Sequence, residues 1–188
     1  MELISVQAVK RPKFLLYLSE RGLQPSDVSP FLSEVYYRVS EKCFFALGFP
    51  NDAGGWELRN PYFKGCFAPK AITTIKGTDS HKLQLFEGFM DFLSWRKLHP
   101  EVQDDSIMLN SLNLLPKLIP TFHPYTMIES FLDNDEAGDR ATKQLIDVGL
   151  SIQDMRACYA PYKDVNEYLV QRLQGKKISP PRKRGLHR

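Results

Sequence analysis

The pattern of apolar and polar positions changes its period near residue 83. Before that point, short runs rich in β-branched and aromatic residues alternate with turn sequences such as PNDAGG and NPYFKG. This alternation is typical of a small antiparallel, hairpin-rich sheet. The predicted strands cover residues 34–40, 42–49, 54–60 and 71–77. A short helix is predicted ahead of them over residues 12–22, which begin with a proline and end with a glycine.

Beyond residue 83 the pattern becomes apolar strand, turn and helix, repeated four times. The predicted strands cover residues 83–86, 106–112, 125–132 and 154–160. The predicted helices cover residues 88–98, 113–119, 136–149 and 165–173. Four such alternations predict an α/β layer built on a mostly parallel sheet that is flanked by helices.

These patterns divide the chain into three predicted segments. We expect a small basic α+β subdomain, an α/β domain and a basic, disordered tail, over residues 1–82, 83–172 and 173–188. Charge follows a similar division, because residues 83–175 contain 8 basic and 14 acidic residues while both flanks are basic. An acidic block would repel nucleic acid unless a divalent metal neutralised it. The alternative is an acidic face that is simply solvated.

Composition excludes several classes of protein. The sequence has no apolar run of about 18 residues, and its first residues lack the apolar centre of a secretory signal, so we expect a cytoplasmic protein without a membrane partner. The three cysteines, Cys43, Cys66 and Cys158, are far apart and are not close to histidines with ligand spacing. Neither a zinc ribbon nor a disulfide framework is therefore expected.

Acidic residues follow three of the four predicted parallel strands. Glu87 ends the first strand and Asp91 lies one helical turn later; Asp133 and Asp135 follow the third strand, and Asp164 follows the fourth. In open parallel sheets ligands bind beyond the carboxyl ends of the strands. Converging carboxylates repel one another unless a cation is bound. Oxygen ligands without histidine or thiolate suit Mg²⁺ or Mn²⁺, so the sequence predicts such a site here.

Two glycines lie beside the predicted metal ligands, and the ligands themselves could have ordinary structural roles. Gly88 and Gly138 would let the backbone approach closely behind Glu87 and near Asp135. Asp135 or Asp133 could instead be the N-cap of the following helix, which is a common role for aspartate. The acids after the first strand could likewise be an ordinary solvated start of a helix.

Three segments resemble the motifs of a known family. LFEGFMD, FLDNDEAGDRAT and YKDVNEYL resemble, in order and spacing, the three motifs of the toprim domain as found in bacterial DnaG-type primases. The resemblance covers residues 83 to about 170, and LGFPNDAGGWELRNPYFKG is more loosely similar to the basic subdomain that precedes toprim in those primases. It implies a toprim-like fold and metal-dependent phosphoryl transfer on nucleic acid, most simply primase-type nucleotidyl transfer in DNA replication.

The resemblance also implies roles for individual residues. Mg²⁺ or Mn²⁺ would hold the incoming nucleoside triphosphate while the primer 3′-hydroxyl attacks its α-phosphate. The implied catalytic metal ligands are Glu87, Asp133 and Asp135, supported by Asp91 and Asp164. The implied nucleotide-binding residues are Lys163, Gly88 and Gly138.

A basic and aromatic loop precedes the toprim-like region. Arg59 and Lys64 flank Tyr62 and Phe63, and Lys70 follows shortly. Basic side chains neutralise phosphates while aromatic faces stack on bases, so this loop is a candidate contact for single-stranded DNA. A hairpin with core aromatics and solvated lysines is the alternative.

Two positions depart from the primase pattern. Asn166 stands where a second aspartate is usual, and residues 110–115 lack the glycine expected after the second toprim strand. No zinc ribbon or helicase-binding segment is recognisable, so we expect a catalytic core, a fragment, or a relative from a mobile element or plasmid. Two alternatives to a primase stay open: a toprim nuclease or nicking protein, and a non-catalytic nucleic-acid-binding module. The expected partners are single-stranded DNA, nucleoside triphosphates and a helicase or other replication or mobilisation protein.

Overall fold

Two five-stranded sheets organise the chain in the computed structural model, which describes residues 1–175 apart from the side chains of residues 79 and 80. The antiparallel sheet, in the order β1-β2-β3-β4-β5, contains β1 (Glu2–Ala8), β2 (Ser33–Val39), β3 (Lys42–Pro50), β4 (Trp56–Asn60) and β5 (Phe63–Phe67). The second sheet, in the order β10-β9-β7-β8-β6, contains β6 (Thr73–Ile75), β7 (Asp79–Phe86), β8 (Asp104–Met108), β9 (Met127–Phe131) and β10 (Ile152–Asp154).

Helices connect the strands of the second sheet and bridge the two sheets. They are α1 (Pro12–Glu20), α2 (Pro25–Val28), α3 (Phe89–Leu98), α4 (Leu115–Leu118), α5 (Glu136–Asp147), α6 (Arg156–Tyr159) and α7 (Val165–Leu173). Only β6 runs antiparallel within the second sheet. The predicted fold class, a mostly parallel sheet flanked by helices and preceded by a hairpin-rich antiparallel sheet, is confirmed. Within residues 1–175 no helix has both the length and the apolar character needed to cross a membrane.

The register of the parallel strands determines where the functional edge lies. Phe86, the last residue of β7, pairs with Met108 of β8 on one side and with Phe131 of β9 on the other. The carboxyl ends of these three strands therefore lie level with one another. Residues that follow them emerge at one edge of the sheet, which is where ligands bind in open parallel sheets.

One of three apolar clusters among residues 1–175 joins the two sheets. Phe14 and Leu18 of α1 are fully buried in this core. Phe49 of the antiparallel sheet stacks on Phe89 of α3, with ring centroids 5.1 Å apart. Aromatic pairs in this geometry contribute about 0.5–1.5 kcal/mol beyond their burial, so the packing holds the antiparallel sheet against the parallel one.

Several elements differ from the sequence prediction. β1 was not predicted because it is an edge strand whose side chains are nearly all exposed, which removes the usual alternation. β5 was not predicted either, because it begins within NPYFKG, which has the composition of a turn. Residues 71–77 were predicted to join the antiparallel sheet, but Thr73–Ile75 pair with β8 instead. Thr73 fixes this position by donating through Oγ1 to the carbonyl of Pro50 at 2.8 Å.

The fourth predicted strand is wrong in position. Residues 154–160 were expected to be extended, but β10 ends at Asp154 and Arg156–Tyr159 form a helical turn. Asp154 accepts hydrogen bonds from the backbone and side chain of Arg156, which favours the turn.

One predicted segment boundary lies inside a strand. The boundary after residue 82 falls inside β7, where Lys82 already pairs with Met127 of β9. At the other end α7 stops at Leu173. The predicted tail beyond residue 175 lies outside the described residues.

A buried aspartate anchors the start of the parallel sheet. Asp105 of β8 is fully buried and accepts hydrogen bonds from Lys76 Nζ at 2.6 Å, Gly77 N at 2.9 Å and Tyr125 Oη at 2.9 Å. Burial raises the pKa of Asp105, but these three donors outweigh burial and the pKa lies below its usual value. The ionised carboxylate therefore stabilises the fold.

We expect Asp105→Asn to destabilise the protein by about 2 kcal/mol at pH 7, because hydrogen bonds to a charged group are lost. The difference from wild type should shrink as the pH falls below about 4, since a carboxyl group with a lowered pKa stabilises the fold only while it is ionised. Thermal melts at pH 7 and pH 3 test this. Asp147→Asn, which removes an exposed ion pair with Lys143, should change stability by less than about 0.5 kcal/mol. A difference for Asp105→Asn that grows towards low pH would contradict the assignment.

Candidate functional site

Three carboxylates meet at the carboxyl edge of the parallel sheet. Glu87 follows β7 directly and Asp133 lies two residues beyond β9; the backbone N of Asp133 donates to Glu87 Oε2 at 3.4 Å. Asp91 lies in the first turn of α3, is 8% exposed, and accepts a hydrogen bond from the backbone N of Asn166 at 3.3 Å. The strand register thus brings Glu87 and Asp133 together, and the helix after β7 adds Asp91.

Burial and mutual repulsion shift the pKa of all three groups in the same direction. Burial is the largest cause and raises the pKa of Glu87, Asp91 and Asp133 above their usual values. Neighbouring carboxylates add to this, with Asp133 acting on Glu87, and Asp164 acting on both Asp91 and Asp133. The site therefore favours a positive partner that would offset the poorly solvated negative charge.

Lys163 provides part of that positive charge. Its Nζ lies 3.3 Å from Asp133 Oδ2 and 3.4 Å from Asp135 Oδ2. The hydrogen bond to Asp133 raises the pKa of Lys163, so the ammonium form is strengthened. The Lys163 backbone is also fixed, because its N donates to Glu167 Oε2 at 2.8 Å and its carbonyl accepts from Asn134 N at 2.7 Å.

Two of the predicted metal ligands are helix N-caps. Asp135 begins α5 and accepts hydrogen bonds from the backbone N of Ala137 and Gly138, both at 3.0 Å. The bond from Gly138 is the largest of the causes that hold the pKa of Asp135 below its usual value. Asp164 begins α7 in the same way and accepts from Glu167 N at 2.7 Å. The N-cap role that the sequence left open thus applies to Asp135, while Asp133 faces Glu87 and Lys163.

Gly88 and Gly138 differ in how much space surrounds them. A Cβ atom on Gly138 would lie 2.0 Å from the carbonyl oxygen of Asp133, so this position excludes every side chain. A Cβ atom on Gly88 would meet only Asp91 Oδ2, at 3.9 Å, so the space beside Gly88 is open. Gly138 fixes the backbone of the acidic loop, whereas Gly88 leaves room in front of the carboxylates.

A cleft of about 240 Å³ separates these carboxylates from the antiparallel sheet. Its acidic wall consists of Glu87, Asp91, Asp133 and Asp164. Arg59 of β4 and Lys64 of β5 lie on the opposite wall and face the same side of their sheet, because they pair directly across the ladder. The positive charge of Lys64 lowers the pKa of Glu87 and thus opposes its repulsion by neighbouring acids.

Lys70 has a structural partner within the chain. This residue is predicted to bind nucleic acid beside Arg59 and Lys64, and its ammonium forms an ion pair with the buried carboxylate of Glu57. A buried carboxylate without its cation is costly, so the charge of Lys70 already has a structural partner.

Arg21, which no sequence motif singled out, follows α1 and also lines the cleft. Its guanidinium donates to Asn166 Oδ1 at 3.0 Å. Asn166 is 1% exposed and donates through Nδ2 to the carbonyl of Arg21 at 2.9 Å and to Ser94 Oγ at 2.8 Å. The residue that departs from the primase pattern thus joins the end of α1 to α3 and α7, a role that depends on contacts 72 and 145 residues apart in sequence.

Asn110 explains the missing glycine after the second parallel strand. It adopts a φ of 58°, the left-handed conformation that glycine or asparagine tolerates best. Its backbone N donates to the carbonyl of Glu87 at 3.0 Å, and its Nδ2 donates to the carbonyl of Ala71 at 2.9 Å. The loop at the edge of the cleft is therefore built without a glycine.

The carboxylates of the cleft are the kind of ligand that a hard divalent cation prefers, but their positions suit such a cation only partly. All the candidate ligands are carboxylate oxygens, which Mg²⁺ and Mn²⁺ prefer. Yet among residues 1–175 no three acidic, histidine or cysteine side chains are grouped closely enough to hold a metal ion. Lys163 lies between Asp133 and Asp135, so a metal bound by both would require the ammonium to move away.

Two family models match the chain. Residues 3–68 match one described as a domain of unknown function, DUF8464, and residues 84–169 match one described as Toprim-like. No curated protein matches the sequence.

Solved primase structures have a similar fold. The primase fragment of the bacteriophage T7 primase-helicase protein has a TM-score of 0.61 and 18% identity, over 84% of this chain and 69% of that chain. A chain from the complex of the T7 lagging-strand DNA polymerase with primase domains, an RNA/DNA hybrid and dTTP has a TM-score of 0.60 and 19% identity, over 84% of both chains.

The zinc-binding and RNA polymerase domains of the Aquifex aeolicus primase have a TM-score of 0.59 and 15% identity. That match covers 90% of this chain but 56% of the Aquifex chain, so the present chain spans little more than half of that relative. At such identities the likeness establishes the fold. The chain therefore has a primase-like fold, and residues 84–169 match the Toprim-like model, as the three sequence motifs predicted.

Proposed function

We propose that this chain is a metal-dependent nucleotidyltransferase of the primase type, which extends a primer on single-stranded DNA. The observation that carries this proposal is the cleft, in which the partly buried carboxylates of Glu87, Asp91 and Asp133 face Arg59 and Lys64. One wall suits a divalent cation and the other suits phosphates. The Toprim-like match and the likeness to primase structures support the same function.

In this proposal Glu87, Asp133 and Asp135 hold Mg²⁺ or Mn²⁺, and Asp91 and Asp164 support them. When bound, the metal would supply charge stabilisation for the transferred phosphoryl group. Asp91 is buried, and a hydrogen bond from the backbone N of Asn166 in α7 fixes its carboxyl group. The ligand residues lie at strand and helix ends, so a bound metal would draw their side chains together while the backbone stays in place.

Lys163 changes partner in this scheme. Its ammonium balances Asp133 and Asp135 while the site is free of metal. An arriving cation would take over those carboxylates and leave Lys163 available for a nucleotide phosphate. Gly88 keeps open the space that such a nucleotide needs beside Asp91.

Arg59 and Lys64 would bind phosphates of the nucleic acid. Arg59 Nε donates to Tyr17 Oη at 3.1 Å, which holds the guanidinium in place and leaves its other donors for a ligand. The two side chains lie across the cleft from the carboxylates, so a bound strand would be positioned against the metal.

A second candidate is a nucleic-acid-binding module without turnover. Lys163 already bridges two of the proposed metal ligands, and Asn166 has a structural role in place of a carboxylate. Both observations favour a weakened metal site. A nuclease or nicking protein of the same fold would differ only in its products, so one assay separates all three functions.

Asp133→Asn should separate catalysis from folding. Removing this partly buried charge relieves repulsion from Asp164, so we expect the melting temperature in EDTA to stay unchanged or rise by a few degrees, since about 1 kcal/mol corresponds to about 2–4 °C. Metal-dependent nucleotide addition should be lost. The assay uses single-stranded DNA, labelled nucleotides and Mg²⁺ or Mn²⁺, and records new oligonucleotides and cleavage products.

Glu136→Gln is the matched control, because it removes an exposed carboxylate from the same loop and helix. It should leave both synthesis and melting temperature unchanged. Full synthesis by Asp133→Asn would remove Asp133 from the catalytic machinery. Inactivity of wild type with intact DNA binding would favour the binding module, and cleavage products would favour the nuclease.

Arg59→Ala combined with Lys64→Ala should weaken binding to single-stranded DNA and reduce its salt dependence. Each phosphate contact contributes about 0.7 to the slope of log K against log salt for single strands, so two lost contacts lower the slope by about 1.4. Arg140→Ala with Lys143→Ala removes the same charge from the exposed side of α5 and is the control. Equal slopes for wild type and the cleft variant would show that the cleft cations do not contact phosphates.

A further inference from the structure

An exposed tyrosine stands at the tip of the hairpin that joins β4 and β5. Tyr62 is 84% exposed, so its ring contributes little to the core. Its backbone N donates to Asn60 Oδ1 at 2.9 Å, which fixes the turn. Lys13 of α1 places its Nζ over one face of the ring, 4.8 Å from the centroid. One face of the ring therefore meets a cation, and the high exposure leaves the other face open.

The side of α1 that bears Lys13 connects this ring with the cleft. Lys13, Tyr17 and Arg21 follow one another at intervals of four residues, which places them along one side of the helix and its end. Lys13 contacts Tyr62, Tyr17 accepts a hydrogen bond from Arg59, and Arg21 lines the cleft. At 1.5 Å per residue, the Tyr62 contact lies roughly 6 Å along α1 from the Arg59 contact and roughly 12 Å from Arg21.

Two further cations lie between the Tyr62 hairpin turn and the cleft on the strands of the same hairpin. Lys64 follows Tyr62 by two residues and lines the cleft, as does Arg59 on the neighbouring strand. An exposed aromatic ring in an apolar surround is typical of a protein interface, whereas this ring contacts Lys13, and Arg59 and Lys64 lie on the two strands of its own hairpin. Phosphates and bases together match a cation on one face of the ring, an open second face, and two further cations on the strands of the same hairpin.

We propose that Tyr62 is a stacking platform for one base of single-stranded nucleic acid at the outer end of the cleft. The inference rests on the proposed function, since it states where the bound strand leaves the cleft that faces the carboxylates. Lys13 and Lys64 bind the phosphates on either side of the stacked base. Stacking on an aromatic ring accepts every base, so the platform holds the strand without reading its sequence.

The test is the affinity of the full chain for fluorescent oligothymidylate, measured by anisotropy. Tyr62→Ala should weaken binding roughly tenfold, a typical loss for one stacked base. Tyr62→Phe should bind like wild type because it keeps the ring, and Tyr62→Leu should bind like the alanine variant because it keeps only apolar volume. The salt slope should not change in any of the three, because no phosphate contact is removed.

An oligonucleotide of the same length with abasic sugars throughout is the control for stacking. Wild type and Tyr62→Ala should bind it equally, since it offers phosphates but no base. Equal binding of oligothymidylate by wild type and Tyr62→Ala would overturn the platform, and the proposed function would stand if the Arg59 and Lys64 variant still loses affinity. Failure of wild type to bind any single strand would overturn both. A loss that persists on the abasic strand would also refute stacking.

Discussion

Repulsion between neighbouring carboxylates is the constraint around which this molecule is arranged. The residues that bring the acids together are apolar: Phe86 and Phe131 end adjacent parallel strands and stack with ring centroids 4.7 Å apart. Their packing holds Glu87 and Asp133 side by side although the two carboxylates repel each other. Burial of the apolar strand ends thus supplies the free energy that keeps an unfavourable charge cluster in place.

The opposite wall of the cleft is tied to the same packing. Phe49 lies in the strand next to Arg59, and its ring stacks on Phe89, two residues beyond Glu87. The distance between the basic and acidic walls is consequently set by aromatic rings in a shared core. A flexible linker between two independent units would leave that distance variable, whereas close-packed interiors transmit displacement directly.

Local patterns in the sequence predicted the part of the fold that local physics determines. The strands that end before Glu87 and Asp133 are rich in apolar residues and each precedes a helical pattern, so they were predicted, and the edge they share followed from topology. Asn166 could not be understood in this way, because its partners Arg21 and Ser94 are distant in sequence. The ion pair of Lys70 with Glu57 could not be predicted for a related reason, because it depends on the fold.

The bridge formed by Lys163 has a consequence for the order in which ligands would assemble. An ammonium that already satisfies Asp133 and Asp135 competes with any divalent ion for the same oxygens, so the metal alone would gain little. A nucleoside triphosphate arriving with the metal offers the displaced ammonium a new anionic partner. On the proposed function the two ligands would therefore bind cooperatively, and by thermodynamic linkage each would raise the affinity for the other by the same factor.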